Sequence, residues 1–300
     1  MERFIVVLLF FSLTSCQSLI NEDIIFEKVV ELEDVQEIFV IENEIKPELV
    51  WDHLEKNATS RNYKINNTTQ KYIYEYTKNT YLFEKYLERS EYYIFYVIQE
   101  LKKKDLPLEF AFIPFIESNY DPFSISASGA VGLWQFMPMT GESLDLNKTW
   151  WIEERHDPFK STKAAISYLD ILYKRFDEDI YLTLAAYNAG PSYIDKQIKR
   201  NKRKNKPSDY WSINLSKETQ NYIPKFIAIN EIIFNNEKYN ITLPEIYMEQ
   251  VVAKVVIPGQ IEILALSDHL NIKPELIYKL NAGYTKWASP PSYESIFYLP

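Results

Sequence analysis

The sequence predicts a mainly α-helical chain that closes on a small C-terminal β-α-α-β appendage. Three observations lead there. From Pro47 onward apolar residues recur with the 3.6-residue period of a half-buried helix. Asn, Pro and Gly fall between these runs, where helices start and stop. After Leu243-Pro244 the composition turns β-branched, then helical, then strand-like again. Three hundred residues allow one or two domains, and a hydrophobic fraction of 46% can fill a sizeable core.

Residues 1–16 read MERFIVVLLFFSLTSC. Phe4 to Phe11 is an unbroken apolar run, too short to cross a bilayer and suited to the h-region of a secretory signal. Leu13-Thr14-Ser15-Cys16 resembles a bacterial lipobox, in which Cys16 becomes the lipidated first residue of the mature protein. Cys16 is the only cysteine, so no internal disulfide can form; the plainer alternative is a cleaved signal with an incidental Cys. Gln17 follows Cys16, and resemblance to lipoproteins sorted on that residue implies an outer-membrane anchor facing the periplasm. Between 17 and 48, ten acidic residues from Glu22 to Glu48 face only Lys28 and Lys46, which reads as a tether between anchor and folded domain.

Val50, Trp51 and Leu54 give the first helix its apolar side, and Asn66 to Thr69 punctuates. Tyr72, Ile73 and Tyr76 begin a second helix; Leu82, Phe83, Tyr86 and Leu87 fit a third. Tyr93, Ile94, Val97, Ile98 and Leu101 carry the period up to Lys102-Lys103-Lys104, whose charges complement a helix C-terminus. Pro107 restarts the chain, and Leu108 to Glu117 reads as one mostly apolar helix, central to the fold. Asn119 to Gly129 reads as loop, with a turn at Asp121-Pro122. Ala130 to Thr140 is a short helix or a turn. Trp150 to Pro158 is a second loop. Ser161 to Phe176 and Ile180 to Ala189 are helices, the latter ending on Gly190, and Pro191 opens another. Ser216 can cap a helix through Phe234. Val251 to Ile257, Ile261 to Leu270, Pro274 to Leu280 and Ile296 to Leu299 complete the β-α-α-β tail.

A net charge of −9 argues against nucleic acid as the main partner, because such binders need an electropositive face. Lys199 to Lys206 places six basic residues in eight. Nucleic acid, a solvated loop, or contact with the carboxylates of wall peptides would each account for it, and the overall charge favours the solvated loop. His53, His156 and His269 are scattered without H-E-x-x-H or paired metal spacing, and there is no G-x-S-x-G and no P-loop. No metal and no organic cofactor are expected. The 23 tyrosines suit stacking under sugar rings, although most fit ordinary core or half-exposed helix positions.

The candidate chemistry lies between Ile116 and Thr140. Glu117 follows Ile113, Pro114, Phe115 and Ile116, so its carboxylate should be partly desolvated and its pKa raised. A carboxylic acid still protonated near neutral pH can act as a general acid. Taken alone, a glutamate at a helix end is more often structural. The argument for function is the ordered set Glu117-Ser118, Gly132-Leu133-Trp134-Gln135, Ala186-Tyr187-Asn188-Ala189-Gly190 and Glu218-Thr219-Gln220-Asn221-Tyr222-Ile223-Pro224. This set, over roughly Pro47 to Pro300, resembles the lysozyme-like (SLT) domain of the lytic transglycosylases, and among them a membrane-bound branch with Trp where many relatives have Met.

The resemblance implies an α+β lysozyme-like SLT fold and a non-hydrolytic cut of peptidoglycan glycan strands, at the β-1,4 bond between N-acetylmuramic acid and N-acetylglucosamine. Glu117 would protonate the leaving oxygen and then take the proton of the C6 hydroxyl, leaving a 1,6-anhydro end. Ser126 resembles the serine that orients the N-acetyl group. Gln135, Tyr187, Asn188 and Tyr222 match positions that line the cleft and hold the glutamate or the sugar, and Glu218 matches a structural position. The implied organisation is a signal at 1–16, a tether at 17–48, a helical segment at 49–105, the catalytic domain at 106–240 and a LysM-like appendage at 245–300. That last likeness is loose, because the aromatic of the first strand is missing and Tyr284 to Ser295 looks inserted; a sugar site and a purely structural role both stand. Two rivals remain: a goose-type muramidase that adds water, and a wall-binding lipoprotein that does not cut. The sequence is silent on oligomeric state.

Overall fold

The structure, a computed structural model, describes residues 47–59, 63–292 and 294–300. The signal at 1–16, Cys16 and all but the last two residues of the tether lie outside the described residues. Ten α-helices form the main body: α1 Val50–Asn57, α2 Asn67–Thr77, α3 Thr80–Glu88, α4 Ile94–Lys102, α5 Ile113–Glu117, α6 Pro138–Ser143, α7 Pro158–Arg175, α8 Ile180–Ala189, α9 Pro191–Lys202 and α10 Lys217–Phe234. Among the described residues no helix is long and apolar enough to cross a membrane.

Local chemistry sets the helix starts. The side chains of Asn66, Asn79, Asp179 and Ser216 accept the N–H of Thr69, Leu82, Leu182 and Thr219, each satisfying a donor that the first helical turn leaves open. One apolar core runs from Val50 to Leu280, so α1–α4 share it with the later helices. At its centre is α10, with Tyr222, Ile223, Phe226, Ile227, Ile229, Ile232 and Ile233 buried. Each such side chain contributes roughly 1.5–3 kcal/mol on leaving water. Helix α10 packs on α2, α5 and α8. The Trp51 indole N–H closes the body by donating to the Pro244 carbonyl at 2.7 Å.

Three segments differ from expectation. Leu108 to Glu117 is not one helix but a 3₁₀ turn, Leu108–Phe112, followed by α5. Pro114 has no N–H to give the Phe110 carbonyl, which bonds instead to the Ile113 N–H in the tighter 3₁₀ pattern. Ala130 to Thr140 splits into a turn, pinned by isolated bridges of Val131 to Ile125 and to Phe136, and then α6. The basic run is only half a loop, because α9 continues to Lys202. Helix α9 buries Ile194, Gln197 and Asn201 on one face, and Asn201 Nδ2 fixes the following turn through the carbonyls of Pro207 and Ser212.

The tail has the expected β-α-α-β order: β1 Ala253–Pro258, α11 Ile263–Leu270, α12 Pro274–Leu280 and β2 Glu294–Leu299. The strands pair antiparallel, from Ala253 opposite Leu299 to Pro258 opposite Glu294. Ile263, Leu266, Ile277, Phe297 and Leu299 make a small core of their own. The appendage is docked as well as self-packed. Tyr298 stacks on Phe159 of α7 with ring centroids 3.9 Å apart, and Tyr93 Oη donates to the Lys279 carbonyl at 3.0 Å. The Glu153 N–H donates to the Gly283 carbonyl and the Thr285 N–H to that of Trp151, at 2.8 and 2.9 Å.

Candidate active site

Glu117 is the last residue of α5, and the chain reverses directly after it. Asn119 and Tyr120 both take left-handed backbone angles, φ 52° and 56°, a conformation that costs a tyrosine energy. Burial holds Tyr120 there: its ring lies against Phe115, and its Oη donates to the Ala111 carbonyl at 2.7 Å. The reversal leaves the Glu117 side chain at the wall of a cleft of about 490 Å³, lined also by Ser126, Gln135, Tyr187, Asn188 and Glu218.

Burial pushes the Glu117 carboxyl up to about 7. A hydrogen bond from Tyr222 Oη, at 2.5 Å, and the positive charge of Lys225 oppose that rise, and Glu218 adds to it. The Tyr222 phenol is itself buried and pushed well above its usual range, so it stays a donor. A carboxyl near 7 is populated in both protonation states at neutral pH, which is what a group that gives and then takes a proton requires.

The rest of the wall is irregular chain held by specific bonds. Ser118 Oγ donates to the Leu133 carbonyl at 2.9 Å, sewing the glutamate turn to the Gly132–Gln135 turn. Trp134 is buried, gives its indole N–H to Thr162 Oγ1 and accepts the Tyr187 hydroxyl at its carbonyl, 2.8 Å away. Gln135, at φ 50°, gives its amide N–H to the carbonyls of Gly132 and Ser124. Ser126 Oγ accepts the Ala130 N–H at 2.9 Å and lies 3.0 Å from Ser128 Oγ. Of the residues expected to hold the glutamate, Tyr222 alone bonds it. Tyr187 and Gln135 hold backbone instead, because the 132–136 turn leaves carbonyls that no ladder pairs.

Several contributors carry no periodic signal in the sequence. Buried Arg155 pairs through Nε and Nη2 with both oxygens of Glu153, and its Nη1 donates to the carbonyls of Gly129 and Phe136. Burial would raise the Glu153 carboxyl, but the hydrogen bonds and charges of Arg155 and Lys148 hold it below its usual range. Gly132, at φ +79°, lies so close to the Arg155 carbonyl that a Cβ would sit 2.1 Å from that oxygen. Pro224, inside α10, removes the donor for the Gln220 carbonyl. The Tyr210 hydroxyl, at 2.9 Å from that oxygen and 2.8 Å from the Thr219 carbonyl, covers the gap one turn from Tyr222. Glu218, expected to be structural, is exposed and lines the cleft. It sits in the first turn of α10, whose positive end favours a carboxylate without any further contact. Among the described residues no cluster of three or more His, Cys, Asp or Glu is placed to hold a metal.

Residues 95–209, which build most of this wall, match the Transglycosylase SLT domain. The match starts in α4 and stops before α10, so Tyr222 and Glu218 complete the cleft from outside the matched SLT segment. Membrane-bound lytic murein transglycosylase D of Escherichia coli is 34% identical over 241 residues, 79% of this chain and 52% of that protein. Membrane-bound lytic murein transglycosylase F of Maricaulis maris is 29% identical over 37% of this chain and 25% of its own length. The chain thus spans about half the length, or less, of these curated relatives. The crystal structure of a lytic transglycosylase Slt from Pseudomonas aeruginosa aligns with 50% of this chain and 25% of its own, at 20% identity and a TM-score of 0.36.

Proposed function

We propose that this protein is a peptidoglycan lytic transglycosylase, cutting between N-acetylmuramic acid and N-acetylglucosamine and leaving a 1,6-anhydro end. The observation that carries the reading is Glu117: one buried-side carboxyl near pKa 7, hydrogen-bonded by Tyr222, at the wall of a cleft in an SLT domain. In its acid form Glu117 gives a proton to the leaving glycosidic oxygen. The carboxylate left behind takes the proton of the muramoyl C6 hydroxyl, whose oxygen closes onto C1. One carboxyl serves both steps, and no water enters. Ser126, Gln135, Tyr187 and Asn188 are positioned to line the bound strand, with Ser126 beside the N-acetyl group.

Glu218 favours a second reading. Exposed in the same cleft, it is a carboxylate that could activate water, as ordinary two-carboxylate glycosidases do. Digestion of purified sacculi by residues 17–300, with mass analysis of the products, separates the two. We expect anhydro-muramoyl ends, lighter by one water than the reducing ends of hydrolysis. A product set made only of reducing ends assigns the site to a muramidase, and no products at all assign it to glycan binding.

The names of the relatives and the sequence Leu13-Thr14-Ser15-Cys16 also support a lipid anchor at Cys16 and a place in the cell envelope, on the periplasmic side of the outer membrane. Residues 245–300 would then be a LysM-like appendage. Cys16→Ser should move the protein from the membrane to the soluble fraction with the glycan-cutting activity intact. Unchanged membrane association on fractionation rejects lipidation at Cys16.

A further inference from the structure

Gly190 lines the cleft, and α9, which follows it in the chain, borders a second concavity of about 780 Å³. Its rim carries Arg175, Lys196, Lys199, Arg200, Arg203 and Lys204, against one carboxylate, Asp195, which is paired with Arg175. Among the described residues the other five cations are exposed and make no ion pair. Five like charges within a turn or two of each other lie inside one Debye length of about 8–10 Å, so they repel unless an anion joins them. At the floor is Gln197, buried, with an Oε1 that has no hydrogen-bond partner. On a helix that rises about 1.5 Å per residue, Lys196, Lys199 and Arg200 stand roughly 9–15 Å along the axis from Gly190.

We propose that the hollow is an exosite for the acidic peptides borne on the glycan strand. It rests on the substrate class proposed above. Carboxylates at peptide ends match the five free cations, and peptide N–H groups match the acceptor left over at Gln197. An anionic membrane would press on a flat or convex surface, whereas these charges ring a concavity on the segment that directly follows Gly190 of the cleft.

The test is binding of the full chain to intact sacculi, read by co-sedimentation, and to the separate glycan strands that an amidase leaves when it removes the peptides, read with those strands fixed to beads. Replacing three surface cations together, Lys199→Gln with Arg200→Gln and Arg203→Gln, should weaken binding to intact sacculi about ten-fold and leave binding to stripped glycan unchanged. The charge-conserving set Lys199→Arg, Arg200→Lys and Arg203→Lys should bind as the parent does. Independently of any variant, affinity of the parent should fall with added salt more steeply on intact sacculi than on the stripped strands. Equal salt dependence on the two materials, or an equal loss on both in the glutamine variant, overturns the exosite. So does a glutamine variant that keeps its affinity for intact sacculi but loses binding to phosphatidylglycerol vesicles, which gives the hollow to a membrane. Because binding is read without turnover, a protein that makes no anhydro product but still prefers peptide-bearing sacculi refutes the proposed reaction and leaves the exosite standing.

Discussion

Glu117→Gln is expected to abolish the release of anhydro-muramoyl products while the protein stays folded. Glutamine fills nearly the same space and can still accept the Tyr222 hydroxyl, so the contact at 2.5 Å has a partner. It cannot give a proton as an acid or take one as a base. Loss of an acid–base group costs roughly 10²–10⁴-fold in rate, and more where one group serves both steps. The substitution should also stabilise. The carboxyl is raised from 4.5 to about 7 in the fold, so the folded state holds its proton more tightly than the unfolded chain does. Below about pH 4.5 both states are protonated and nothing is lost. As pH climbs from there through 7, the buried carboxylate costs up to about 3 kcal/mol, and above 7 the cost is complete. Thermal unfolding should therefore find the variant level with the parent at pH 4 and more stable at pH 8. A variant that digests sacculi at the parental rate removes Glu117 from the chemistry.

Tyr222→Phe should lower turnover about 10- to 100-fold and leave affinity for glycan nearly unchanged. The ring stays in its buried seat, and only the oxygen that donates to Glu117 goes. A hydrogen bond to a charged partner is worth up to roughly 3 kcal/mol, and each 1.36 kcal/mol is a factor of ten in rate. The sign of the pH effect follows from the same contact. Tyr222 pulls the Glu117 carboxyl down against burial, so its loss lets that carboxyl rise further. The step that needs the carboxylate then starves at neutral pH, and the limb of the rate profile that reports ionised Glu117 moves to higher pH. Turnover and binding measured on defined muropeptide chains across pH 5–9 would decide it. An unmoved limb with full turnover places Tyr222 outside the reacting shell.

Much of this site was legible in the sequence because its pieces are local. Glu117 follows four apolar residues, and the turn at Gly132 and the helix ends at Gly190 and Ser216 are signalled by residues whose backbone or capping preferences are strong. The helices were legible for the same reason, since an apolar stripe needs only its own period. What stayed hidden depends on where distant segments meet. Arg155 and Glu153 sit in a loop with no period, and nothing in their spacing says that the guanidinium reaches the carbonyls of Gly129 and Phe136. Tyr210 answers a gap that Pro224 opens in another element. By resemblance Glu218 matches a structural position, and only the fold shows that it lines the cleft. The break in the segment 108–117 was visible in Pro114, but the strong apolar run around it reads as helix.

Residues 151–157 are a single plank with the active site nailed to one side and the C-terminal appendage to the other. On the first side the Arg155 carbonyl abuts Gly132 and its guanidinium carries Gly129 and Phe136. On the second, Trp151 and Glu153 are bonded to Thr285 and Gly283, and Asp157 leaves no space for a Cβ at Gly283. Truncating the chain after Pro244 would therefore not unplug an accessory. It would strip the backing from the plank and bare Phe159 beneath Tyr298, so a shortened chain would lose the shape of its cleft before it lost any residue that lines it.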